Sequence, residues 1–290
     1  VAGMLTAVAG IACPSLVQAQ AQDWPNRPVT LVVPYGPGAS NDTFTRMLAN
    51  VLTKRFGQSF IVSNRPGAGG FIGTEAVAKA APDGYTFLEM PSSIAGFKPI
   101  TNVDLDPLRD LTPLALIARA PGAMVINAAL PIKTVKEFIE YAKANPEKTF
   151  YGMAGIGTSN HQHAEMFKQA TGLKLIGVNY KSASDAMTDL IGGRTQVVFA
   201  TAASARPGID AGQLRLLAYG DNNYPPESPK APTFAEAGVP NMEKAQTWWA
   251  IFGPPKLPLD IQRKMNAAVN AALKDPEFQA LLNKSSATPA

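Results

Sequence analysis

The sequence predicts an α/β protein with largely parallel sheets. Three observations carry this. Short apolar runs alternate with amphipathic stretches along most of the chain, the apolar positions of those stretches recur with helical period, and proline and glycine gather between the elements rather than inside them. Strands that alternate with helical patterns form parallel sheets covered by helices.

The elements follow in order. Candidate strands are Val29–Val33, Ser59–Val62, Tyr85–Leu88, Ala123–Ile126, a short run near Phe150, Leu175–Val178, Gln196–Phe199, Leu214–Leu217 and Thr247–Phe252. Phe44, Met47, Leu48, Val51 and Leu52 form one helical stripe. Val135, Phe138, Ile139 and Ala142 form another, opened by Thr134 with Glu137 at capping-box spacing. Ala183, Ala186, Met187, Leu190 and Ile191 make a third, and Ile261, Met265, Ala268, Val269 and Ala272 a fourth. Proline clusters at 25–37, 225–232 and 254–258 mark turns or linkers.

Composition narrows the function. In 290 residues, 46% are hydrophobic and 17% charged, which excludes a disordered chain. The net charge is +4 with no Lys/Arg run, so nucleic acid is not an expected partner. Residues 1–21 carry no charge; Val1–Ile11 is apolar and Ala19-Gln20-Ala21 fits a cleavage site, so residues 1–21 are expected to be a signal peptide and the mature protein periplasmic. Cys13, the only cysteine, lies within that segment; Gly10–Cys13 also fits a lipobox, though less well than the downstream site. Cleavage after Ala21 leaves no thiol for disulfides or thiolate metal sites.

Ligands of open α/β sheets sit outside the carboxyl ends of the strands, so the loops after strands are the candidate site. After the first strand comes Pro34-Tyr35-Gly36-Pro37-Gly38-Ala39-Ser40-Asn41-Asp42 and then a helix. After the strand near Phe150 comes Gly155-Ile156-Gly157-Thr158-Ser159-Asn160-His161, with Ser159 and Gln162 at capping-box spacing. A helix start with free N–H donors holds an anion without arginine. Alone, either loop is explained as a turn that caps itself; two in one chain point to two jaws closing on one anionic ligand. Neither is a P-loop or a dinucleotide fingerprint, so no cofactor is expected. His161 and His163 diverge by about 200° on a helix and cannot chelate one metal together. There is no Gly-x-Ser-x-Gly elbow, so no catalytic residue and no metal are assigned. A carboxylate pair of hydrolase or lyase type stays open as an alternative. Trp248-Trp249 reads as a hydrophobic strand rather than a stacking platform, and Asn64–Gly70 is a further glycine-rich helix start.

Motifs in order and spacing carry a resemblance. They are Trp24-Pro25-Asn26-Arg27-Pro28, Val32–Gly38, Asn64–Gly70, Ala80–Thr86, Asp106–Pro113, Gly155–Thr158 with His161, Tyr180-Lys181, Asp189–Gly193, Leu214–Ala218 and Ala231–Gly238. The chain resembles the Bug-type (Bordetella uptake gene) extracytoplasmic binding proteins of tripartite tricarboxylate transporters. The resemblance implies a type II periplasmic-binding-protein fold, two α/β lobes joined by two crossing strands near Pro121–Asn127 and Thr247–Phe252. Lobe 1 is expected over 22–124 plus 250–290 and lobe 2 over 125–249. It implies a non-enzymatic, monomeric receptor that captures a small carboxylate for the membrane subunits of a transporter; feeding ligand occupancy to a two-component sensor is the alternative. Carried over by position, the ligand falls to Tyr35, Gly36, Ser40, Asn41 and Asp42 on one lobe and Gly155, Gly157, Thr158, Ser159 and His161 on the other. Ser92, Ser93, Tyr180, Lys181 and Ser184 are pocket edges. The chain departs from the family at Ala39, Asn179, Ser182 and the loop Met90–Phe97, and Tyr35, Phe97 and Phe199 are candidate walls for an aromatic acid.

Overall fold

The computed structural model describes residues 24–38, 40–97 and 103–290; the expected signal peptide, Ala39 and residues 98–102 lie outside the described residues. The first half is a parallel α/β unit. Strand β1 (Val29–Val33) pairs in parallel with β2 (Phe60–Asn64) and β3 (Thr86–Pro91). Between them run helices α1 (Ser40–Phe56) and α2 (Phe71–Ala78). Phe44, Leu48 and Leu52 of α1 are fully buried with Leu31 and Phe87, as the helical stripe predicts.

The hinge of the molecule is β4 (Thr112–Asn127), a 16-residue strand, entered from the one-turn helix α3 (Pro107–Asp110). Residues Thr112–Pro121 of β4 pair with β9 (Gln246–Gly253), which pairs in turn with β3. From Gly122 on, β4 instead pairs with β7 (Val197–Thr201) and β8 (Leu214–Tyr219). The exchange has a covalent cause: Pro121 has no N–H to extend the ladder. Gly122 follows, donating to Ala245 O at 2.6 Å and accepting from Gly220 N at 2.7 Å. A side chain on Gly122 would start 2.5 Å from Ala245 O and 2.8 Å from the His163 ring. The chain thus changes lobe at Pro121–Gly122 and returns at Ala245–Gln246, so most of the expected crossing Pro121–Asn127 lies in the second sheet and Thr247–Phe252 in the first.

The second lobe orders β8, β4, β7, β5 (Phe150–Met153) and β6 (Ile176–Asn179), with β5 parallel to both neighbours. Helices α4 (Val135–Ala144), α5 (Ser159–Thr171), α6 (Ala183–Ile191) and α7 (Ala202–Asp210) accompany it. Thr134 caps α4 by accepting from Glu137 N, as expected, but Glu137 reaches one residue further back, to Lys133 N at 2.6 Å. The C-terminal α8 (Leu259–Ala272), α9 (Pro276–Lys284) and β10 (Thr288–Pro289) return to the first lobe, where Ile261, Met265 and Phe278 join its core. Each lobe has its own apolar core, one around Phe44 and Phe87 and one around Phe138, Phe167 and Phe199. Two centres of packing joined by two strands permit rigid-body motion between them. Among the described residues no helix is long and apolar enough to cross a membrane.

Candidate functional site

The lobes meet where the strand-end loops face each other. In lobe 1 the loop after β1 is fastened from beneath by Asp42. Its carboxylate accepts from Gly38 N at 3.0 Å, Asn64 Nδ2 at 2.9 Å and Arg46 Nε at 2.9 Å. Burial pushes this carboxyl up, but the bonds from Arg46, Gly38 and Asn64 outweigh it and hold it below the usual range. Asn64 also donates to Tyr35 O at 3.0 Å, so β2 and α1 jointly shape the loop. The Tyr35 hydroxyl lies 3.2 Å from Gly69 O and 2.9 Å from Ser93 Oγ. Burial pushes its phenol well above the ordinary value, so it stays neutral.

The facing jaw is the glycine turn before α5. Gly155 and Gly157 have φ of 119° and 84°, the left-handed region that lets this turn fold tightly. Thr158 is the N-cap and makes no side-chain cap bond; its hydroxyl donates back to Gly155 O at 2.7 Å. The opening N–H groups of α5 therefore have no intrahelical acceptor and no cap. The expected pairing of Ser159 with Gln162 does not form. Gln162 instead spends its amide on Gly157 O at 3.0 Å and, across the cleft, on Ser93 O at 3.1 Å. Ser159 Oγ stands 3.4 Å from Ser92 Oγ of the other lobe. Gly69 packs so closely on this turn that a Cβ on it would lie 2.8 Å from Ile156 O.

The structure thus brings Tyr35, Ser92 and Ser93 together with Gly155, Gly157, Thr158, Ser159 and His161. Gly36 faces open space, Ser40 opens α1 half-buried, and Asn41 in the same turn reaches down to Glu89. Two functional groups are already committed. Asp42 is fully engaged in holding the loop, and Gly157 N donates to His161 Nδ1 at 3.2 Å rather than into the cleft. His161 points its other nitrogen toward Glu165 at 3.7 Å, and burial, with Lys168 nearby, holds its pKa below the ordinary value. It is a neutral brace of the turn. Tyr180, Lys181 and Ser184 flank the start of α6, at the β6 edge of the second sheet. Burial pushes the Tyr180 phenol up to about 12, as does its bond to Asp189; Lys181 and Ser184 are exposed. Phe97 and Phe199 do not wall a pocket: each is buried in the core of its own lobe, against Phe71 and Phe167 respectively. Trp249 is likewise core, edge-on to Phe44.

Sequence reasoning missed three participants. The spacing of Gln162 predicts a cap, Gly69 belongs to the separate run Asn64–Gly70, and Glu89 lies within a strand with no local signal. Only Gly69 carried a signal, the glycine run Gly67-Ala68-Gly69-Gly70 before a helix. A cavity of about 670 Å³ opens at the lobe boundary beside Gln162, lined also by Gly96, Glu165, Met166 and Lys168. A second, of about 690 Å³, lies over Trp248, Leu116 and Phe252 in lobe 1 and is mostly apolar, with Asp106 at its lining. Among the described residues no group of three His, Cys, Asp or Glu side chains is placed to hold a metal.

Two α/β lobes, two crossing strands and opposed helix starts define the class of two-lobed solute-binding receptors. Residues 44–290 match the tripartite tricarboxylate transporter family receptor profile, and the chain belongs to that family of periplasmic solute-binding proteins. It is 33% identical to protein BugT of Bordetella pertussis over 292 aligned residues, covering 100% of this chain and 88% of BugT. Rpa4515 of R. palustris, solved with adipate, is 35% identical with a TM-score of 0.84 over 92% of this chain and 90% of that one. The periplasmic binding protein BugD is 30% identical with a TM-score of 0.83, over 92% and 89%. The expected fold class and family therefore hold.

Proposed function

We propose that the protein is a periplasmic receptor that captures a small organic carboxylate between its lobes and hands it to the membrane subunits of a tripartite transporter, with no catalytic step. The observation that carries this reading is the opposition of two glycine- and hydroxyl-rich helix starts, one per lobe. Tyr35, Gly36, Ser40 and Asn41 form one jaw; Gly155, Thr158 and Ser159, braced by His161 and Gly157, form the other. Uncapped N–H groups at the start of α5 and the cleft hydroxyls are donors suited to a carboxylate. Asp42 acts by holding the first jaw rather than by touching the ligand. Tyr180, Lys181 and Ser184 are an outer edge that a long ligand reaches.

The adipate bound by Rpa4515 favours an aliphatic dicarboxylate over an aromatic acid, and the burial of Phe97 and Phe199 argues the same way. Closure pivots at Pro121–Gly122 and Ala245–Gln246, with lobe 1 over 22–124 plus 250–290 and lobe 2 over 125–249 to within a few residues. The ligand bridges both jaws and stabilises the closed state. Micromolar affinity, about −8 kcal/mol, requires only a handful of charge-assisted hydrogen bonds at roughly 1.5–3 kcal/mol each. Residues 1–21 act as a cleavable export signal, and the mature receptor works as a monomer. Titration calorimetry with adipate, succinate, citrate, benzoate and terephthalate tests the reading: one aliphatic acid binding at micromolar concentration supports it, whereas heat from none of the five rejects it.

A further inference from the structure

Glu89 lies on β3 with 0% exposure. Leu88 and Met90 on either side of it pack into one cluster, with Val77 and Ile94, so Glu89 takes the opposite face of the strand, toward α1. A buried carboxyl ordinarily has a cation or several donors. The hydrogen-bond partner of this one is the side-chain amide of Asn41, whose Nδ2 stands 3.2 and 3.3 Å from its two oxygens. Asn41 is in the first turn of α1, half-buried, within the jaw assigned above to the ligand. The charged group that acts on the acid is Asp42 of α1, itself paired with Arg46 at 2.9 Å. From the loop after β1 comes the neutral Tyr35, and from β9 the apolar Ile251 directly opposite.

A carboxamide has a donor end and an acceptor end of nearly equal shape, so the group that holds one end fixes what the other offers. Ionised Glu89 can only accept, so it holds Asn41 by Nδ2, the end that stands against its two oxygens in the structure, and turns Oδ1 away from itself. Protonated Glu89 has a hydroxyl to donate, which is satisfied by Oδ1, and the amide turned over then offers its nitrogen. An anionic ligand needs a donor.

We propose that Glu89 is a positioning residue whose proton sets the polarity of Asn41: protonated, it turns the Asn41 amide nitrogen toward the cleft and selects an anionic group; ionised, it turns the oxygen there and rejects one. This deepens the carboxylate-receptor reading and rests on it. Burial, with Asp42 close by, pushes the Glu89 carboxyl up to about 8 against the opposing bond from Asn41, which brings its titration near neutral pH. Binding of an anion beside it raises that value further, so capture is coupled to one proton. Affinity for a carboxylate falls by about tenfold per pH unit above the midpoint.

The test has two arms. In ligand-free protein, carbon-13 NMR of the Glu side chains, assigned with Glu89→Gln, follows the titration of Glu89, while nitrogen-15 spectra follow the Asn41 amide. A Glu89 midpoint above pH 7, tracked by the Asn41 amide and lost from that amide in Glu89→Gln, supports the proposal. A midpoint below pH 6, or an Asn41 amide that ignores it, overturns it. In the second arm calorimetry with adipate from pH 6 to 9.5 is expected to show the tenfold-per-unit weakening in wild type and a flat profile in Glu89→Gln and Asn41→Ala. The same slope in all three overturns it. Adipate binding to none of them counts against the receptor reading alone, and the NMR arm still decides the role of Glu89.

Discussion

The carbonyl oxygen of Ile156 in one lobe lies 2.8 Å from where a side chain on Gly69 in the other would begin. At Gly69 φ is 65°, so even alanine is strained there, and with the lobes as they lie its Cβ would overlap Ile156 O. Gly69→Ala is expected to prop the cleft open: small-angle scattering gives a larger radius with saturating ligand, and ligand affinity drops at least tenfold. Gly172 is the control, because its φ is 70° and nothing lies within 4 Å of its Cβ position. Gly172→Ala should cost about 1 kcal/mol of stability from the same backbone strain and leave affinity alone. Equal affinities for the two variants would show that the Gly69 contact does not limit closure.

Thr158 tests the turn before α5. Its hydroxyl holds the glycine turn through Gly155 O rather than capping the helix. Thr158→Ala loses that intramolecular bond, about 1 kcal/mol of stability, so the melting temperature should drop slightly while the loosened turn weakens ligand binding severalfold. Calorimetry beside thermal melts checks this, and unchanged affinity would place the second jaw elsewhere.

Asp42 is a structural node beneath a binding loop. Asp42→Ala strands the Gly38 N–H and removes one acceptor each from Asn64 and Arg46, which keep their bonds to Tyr35 O and to each other. The expected loss is about 2–3 kcal/mol of stability, with ligand binding lost alongside, and Asp42→Asn should cost less because one acceptor oxygen remains. Urea denaturation of the three proteins measures it; an Asp42→Ala variant as stable as wild type would contradict the assignment.

His163 touches both crossings, with its ring against Gly122 and a hydrogen bond to the Gln246 backbone, while its Nδ1 has no partner among the described residues. Burial pushes its pKa down from 6.5 to about 4, the Gln246 bond opposing. The unfolded chain therefore binds the extra proton between those values. Stability is intact above pH 6.5 and lost as pH falls toward 4, by up to about 1.4 kcal/mol per unit. In denaturant titrations at stepped pH, His163→Gln should show a slope shallower by that amount; identical slopes would mean that His163 is charged in the native protein.

Much of this was legible in the sequence. Strands and helices came from period: the stripe at Phe44, Leu48 and Leu52 and the run Val29–Val33 need only near neighbours to be recognised. The two glycine turns before α1 and α5 were legible because glycine and hydroxyl residues before a helix have local causes. The 200° divergence of His161 and His163 also held, one bracing the turn and the other buried at the hinge. Ser159 with Gln162 failed because capping spacing states what a side chain can reach locally, and Gln162 found Ser93 of another lobe instead.

Sequence alone therefore determined the α/β class, the family and the two glycine-rich turns that open α1 and α5, since periodicity and capping act over a few residues. Tertiary structure decided which polar groups remain free to bind: His161 takes the Gly157 amide, Arg46 and Asn64 take Asp42, and Glu89 takes Asn41. Those pairings join residues whose separation along the chain says little about whether they meet. Sheet order and burial set them, because a buried charge or amide must find its partner wherever the packing leaves one.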